Sequence, residues 1–93
     1  MMFYVIARSY IHGKNWVNDK RRTDSEFNDR YPHERNVKII TTPDQLRGHN
    51  VEHGILLSGW KEHPNIKEIL FLAMIHSQGT IPALKKAFEE VEQ

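Results

Sequence analysis

The chain has no cysteine, so a disulfide framework, a thiolate zinc site and a cysteine nucleophile are all excluded. It also lacks a long apolar run: the longest, Ile69 to Ile75, is far shorter than a membrane span. Phe3 to Ala7 has no basic region ahead of it and lacks the length of a signal-peptide core, so a cytoplasmic protein without membrane association is expected. No charge of one sign dominates. Thirteen lysines and arginines face twelve aspartates and glutamates, a formal net charge of +1, which argues against a strongly basic nucleic-acid module. Repeats, low-complexity segments and flexible linkers are missing, and 93 residues leave room for one domain.

Three runs of β-forming residues stand out. Phe3-Tyr4-Val5-Ile6-Ala7, Val37-Lys38-Ile39-Ile40-Thr41 and Gly54-Ile55-Leu56-Leu57-Ser58 predict three strands. The first and third are continuously apolar, as in strands covered on both faces. Between the first two, Trp16, Val17 and Phe27 are sparse apolar anchors among many charges. There Thr23-Asp24-Ser25-Glu26 fits a capping box, predicting one or two short helices that stop before Pro32. Thr42-Pro43-Asp44-Gln45 starts a brief helix with Thr as N-cap and Gln closing the box, ended by Gly48. Pro64 marks the first turn of a helix that runs to about Ser77 and is stopped by Gly79. Pro82 opens an amphipathic C-terminal helix with Leu84, Ala87, Phe88 and Val91 on one face. This alternation predicts an α/β fold: a small three-stranded parallel sheet with flanking helices and right-handed crossovers. The link from Thr42 to His53 is about as short as a parallel crossover can be.

In open parallel sheets, ligands settle outside the carboxyl ends of the strands. That edge gathers Arg8, Ser9 and His12 after the first strand, Thr42 after the second, and Ser58, Gly59 and Trp60 after the third. These are the candidate ligand-binding residues, for an anion or nucleotide. The alternative is that they are solvated loop ends with capping duties. Gly13-Lys14 lacks the preceding glycine and following Ser/Thr of a phosphate loop, and no cofactor is expected. Trp60 either stacks on a base or caps the open end of a small core. His49-Asn50-Val51-Glu52-His53 matches the H-x-x-E-H pattern, in which two histidines one turn apart hold zinc. Gly48 and Gly54 bracket it, however, and a polar turn into the third strand is the favoured reading of His49 and His53. The helix around Ile69 to Ile75 is apolar almost all round, which predicts burial on two sides, under the last helix or in a homodimer.

Leu56-Leu57-Ser58-Gly59-Trp60, followed by a helix carrying Glu68 and Ala73, resembles the corresponding unit of nucleoside 2-deoxyribosyltransferase-like proteins. The resemblance covers residues 54–75 and implies Glu68 as the residue acting near the ribosyl carbon. This chain departs from it in having Lys61 to Lys67 where that family has a small glycine-containing loop. The whole chain resembles small Rossmann-like bacteriophage proteins of unknown function, with Ala7-Arg8-Ser9 ending the first strand and Gly59-Trp60 after the third. That resemblance implies a fold and a phage origin, with the host cytoplasm as its setting, but no activity.

Three functions follow as expectations. The first is a non-catalytic module binding a protein or nucleotide partner, because no set of nucleophile, base and oxyanion donor assembles in the sequence. The second is a deoxyribosyltransferase- or N-glycosidase-type enzyme using Glu68. The third is a DNA-binding accessory protein using Lys20, Arg21, Arg22 and Arg30, cations that lie beside several acids.

Overall fold

A computed structural model of the chain describes residues 2–46 and 51–92. The three β-rich runs form strands β1 (Phe3–Ile6), β2 (Val37–Ile40) and β3 (His53–Leu56). All pair in parallel, in the order β2-β1-β3. Among the described residues four α-helices flank them: α1 (Tyr10–Thr23), α2 (Ser25–Arg30), α3 (Ile66–Ser77) and α4 (Pro82–Glu92). The expected α/β architecture is therefore present. No described helix is long and apolar enough to cross a membrane.

Strand alternation divides the core into two layers. Val5 and Ala7 turn to one face, where Phe3, Val37, Ile39, Ile55 and Leu57 meet Trp16 and Val17 of α1. Tyr4, Ile6 and Ile40 turn to the other, against Ile69, Leu70 and Ala73 of α3 and Leu84 and Ala87 of α4. Each fully buried aliphatic side chain there contributes about 1.5–3 kcal/mol of transfer free energy. Burial also pushes the Tyr4 phenol above its ordinary pKa of 10.0.

Among the described residues, the short crossover from β2 to β3 contains no α-helix. Pro43–Leu46 forms a 3₁₀ turn, and Leu46 and Val51 are sealed into the α3 layer at 0% and 2% exposure. Two buried anchors replace the amphipathic stripe that a longer link would supply. Gln45 closes the turn as its spacing predicts, its Oε1 accepting the Thr42 N–H at 3.0 Å and the Thr41 N–H at 2.6 Å. Gly48, the expected stop, lies outside the described residues.

Two helices fill the region before Pro32 as expected, α1 running to fourteen residues and α2 ending at Arg30. Two local expectations are corrected. Asp24, not Thr23, caps α2. The Asp24 carboxylate accepts the Phe27 N–H at 3.1 Å, whereas the Thr23 hydroxyl donates back to the Asp19 carbonyl inside α1. Aspartate wins because α1 runs on through Thr23 and leaves the next residue extended, with φ −127° and ψ 100°. Helix α3 starts at Ile66, beyond Pro64. There buried His63 holds the start, its Nδ1 accepting the Asn65 N–H at 3.1 Å. At its other end the left-handed cap position is occupied by Gln78 (φ +56°) ahead of Gly79. The Gly79 N–H returns to the Met74 carbonyl and the Gln78 N–H to that of Ile75, a Schellman closure.

Candidate functional site

Strand order determines which expected site residues meet. From β1 to β2 the chain passes over the α1 face, and from β2 to β3 over the α3 face, so the direction of winding reverses between β1 and β3. That reversal is the crevice where open sheets bind ligands. Arg8 and Gly59 meet there: a Cβ built on Gly59 would lie 3.3 Å from Arg8 Cδ and 3.4 Å from a Glu62 carboxylate oxygen. Gly59 has φ +85°, the left-handed conformation that turns the chain out of β3. Thr42 follows β2, on the far side of β1, and so lies about 10 Å from the β3 loop at two strand spacings.

The groups at this edge largely serve the fold. Ser9 is the N-cap of α1, its Oγ accepting the His12 N–H at 3.3 Å. His12 is half-buried, and its Nδ1 is buried with no hydrogen-bond partner. Trp60 packs against the core and lines a shallow depression of about 210 Å³ with Leu56 of β3 and Ala83, Lys86 and Ala87 of α4. The Lys61 ammonium sits 5.5 Å from the Trp60 ring centroid and reaches Glu90 of α4 at 3.2 Å. This is the capping arrangement. Ser58 and Arg8 are exposed.

Glu68 is exposed on the first turn of α3 and does not line the Trp60 depression. The basic residues considered for DNA are engaged within the chain. Lys20 pairs with Asp24, Arg22 with Asp19 and Arg30 with Glu26. Of the H-x-x-E-H stretch, His49 lies outside the described residues, Val51 and Glu52 are irregular, and His53 opens β3. The helical turn that such a site needs is replaced by strand at His53. Among the described residues no group of three or more metal-ligating side chains comes together. Helix α3 packs most of its apolar surface internally, leaving Phe71 and Ile75 each 47% exposed.

A larger cleft lies elsewhere. Helix α1 rests on the sheet where Gly13 lacks a side chain, since a Cβ there would come 2.7 Å from Ile39 Cγ2. From that contact it leaves the outer part of β2 half-uncovered, opening a trough of about 350 Å³ between α1 and β2. Val17, Val37 and Ile39 form an apolar floor. Tyr10, Lys14, Asn18 and Arg21 line the α1 wall, and Glu34 and Arg35 come from the turn ahead of β2. Three cations thus face one carboxylate. Glu34 pairs with Lys14 at 3.0 Å, and that hydrogen bond, followed by the charges of Lys14 and Arg21, holds its carboxyl below the ordinary 4.5. Arg21 acts as a latch, donating to the Pro32 carbonyl at 3.2 Å and the His33 carbonyl at 2.8 Å. Its Nε is buried without a partner. Arg35 is exposed and makes no ion pair among the described residues.

The sequence reading missed this trough. Its only linear signal is Lys14, Val17, Asn18 and Arg21 at helical spacing, and Arg35 joins them solely through the β1–β2 pairing. Compared with known proteins, the chain matches no family, no curated protein and no solved structure.

Proposed function

We propose that this protein is a small non-catalytic binding module that engages an anionic partner along the α1–β2 trough. One observation carries the reading: half-buried Val37 and Ile39, beside buried Val17, form an apolar floor beneath Lys14, Arg21 and Arg35, with Glu34 as the one opposing carboxylate. Uncovered apolar area provides affinity, and the cationic rim selects and steers the sign of the partner. The exposed position of Glu68, away from the described clefts, supports binding without turnover. A bacteriophage origin, with the host cytoplasm as setting, is part of this proposal on the Ala7-Arg8-Ser9 and Gly59-Trp60 resemblance alone.

The test is amide chemical-shift mapping during titration with acidic peptides and with nucleotides, read beside thermal shift. The trough reading expects perturbations at Asn18, Arg35 and Val37, an upward shift in melting temperature, and loss of both in Arg35→Glu. Perturbations confined to Arg8, Ser58 and Gly59 would relocate binding to the strand ends. No response to any anionic compound would defeat the reading.

A further inference from the structure

We propose that the occupant of the trough is an extended acidic peptide segment, which adds to the free edge of β2 as a fourth strand. The inference deepens the anion-binding reading of the same trough and rests on it.

Four features favour a strand over a compact ligand. First, β2 pairs only with β1 among the described strands, so its outer edge keeps backbone donors and acceptors for another chain. Second, the floor residues Val37 and Ile39 are two apart on one strand face, the spacing at which an added strand presents its own alternate side chains. Third, the wall runs from Tyr10 to Arg21, about 16 Å of helix at 1.5 Å per residue, which matches roughly five extended residues at 3.3 Å each. Fourth, the cations are spread along the trough: Lys14 and Arg21 lie about two turns apart on α1, and Arg35 comes from the opposite wall. A phosphate site would instead gather its donors at one point, typically around a glycine-rich loop or a helix start. A second copy of this chain is a poorer occupant, because pairing β2 with β2 would bring Arg35 and Lys38 against their own kind. An acidic segment meets Lys14, Arg21 and Arg35, with Glu34 the one like charge lining its path.

The probe is a fluorescein-labelled peptide of alternating glutamate and valine, titrated against the full chain by polarisation. Two further versions carry N-methyl groups on alternate amides, one on the odd residues and one on the even. In an added strand every other N–H points at β2. One methylation phase should therefore abolish binding while the other leaves it nearly intact. Arg35→Glu should weaken the unmethylated peptide by about tenfold, with the remaining affinity less sensitive to salt. Equal binding of both methylated peptides would overturn strand addition. Arg35-dependent binding of adenosine or guanosine nucleotides with no binding of the peptide would overturn it too, yet leave the anionic trough standing. If neither class engages, the trough reading falls along with it. Arg35 is exposed, so folding of the variant is checked simply by its unchanged circular dichroism and melting temperature.

Discussion

The two faces of the sheet are covered differently. On one, α3 and α4 pack side by side, and Ile69, Leu70 and Ala73 are fully buried. On the other, α1 lies across the sheet from its contact at Gly13, and β2 is left with Val37 and Ile39 half-exposed. The centre of the α3 side is mainly aliphatic, with Tyr4 among its buried residues and Trp60 and Phe88 packed at its margin, whereas the lower part of the α1 side is closed by aromatic rings. Phe3 meets Trp16, Phe27 and Tyr31 at centroid distances of 6.2, 5.3 and 5.1 Å. One helix spans about 10 Å, while three strands at roughly 4.8 Å spacing need a second one. The sealed face is where the fold gains stability, and the under-covered face is where surface remains for a partner.

This contrast can be broken from either side. The largest effect is expected from Leu70→Ala on the sealed face, about 2–5 kcal/mol of stability lost through transfer and cavity terms. In a domain of this size, with little reserve, urea unfolding should show a midpoint near zero denaturant. Next comes Gly13→Ala, which drives a methyl into Ile39 and should cost about 1–3 kcal/mol by overpacking. Combining it with Ile39→Ala should recover part of that loss, and strict additivity of the two changes would deny the contact. Asp24→Ala should lower the melting temperature less than either, by uncapping α2. Its carboxyl lies below the ordinary 3.8 because of the Lys20 hydrogen bond and then the Phe27 N–H. A folded-state value below the unfolded one stabilises above the unfolded pKa and ceases to do so as pH falls through the folded value. The difference between parent and Asp24→Ala should therefore shrink on acidification below about pH 4. The smallest change, Gln78→Gly at the end of α3, should stabilise by up to about 1 kcal/mol, since glycine adopts the left-handed cap without a Cβ clash.

Legibility in the sequence followed the same division. The three strands and the α3 and α4 helices were readable because short runs of β-forming residues, the apolar run of α3 and the apolar stripe of α4 are properties of neighbouring residues. Helix α1 was not. It buries only Gly13 and Val17, and a glycine inside a polar segment reads as a turn until Ile39 is seen beneath it. The strand-end residues were placed correctly at the carboxyl edge by topology. Capping was one of two roles the sequence offered them, and the choice needed the structure, in which Ser9 caps α1 and Trp60 packs on α4. The trough is harder still, since it is the area that α1 fails to cover, which no local pattern encodes.

The placement of the two tryptophans has a practical consequence. Trp16 stacks on Phe3 in the aromatic layer beside α2, whereas Trp60 lies across the molecule against α4 with an ammonium over its ring. Each face thus carries its own intrinsic fluorophore in a distinct polarity. Trp16→Phe and Trp60→Phe would give a matched pair of single-emitter proteins. With them, loosening of the α1 side could be timed separately from melting of the α3–α4 side, without attaching a dye.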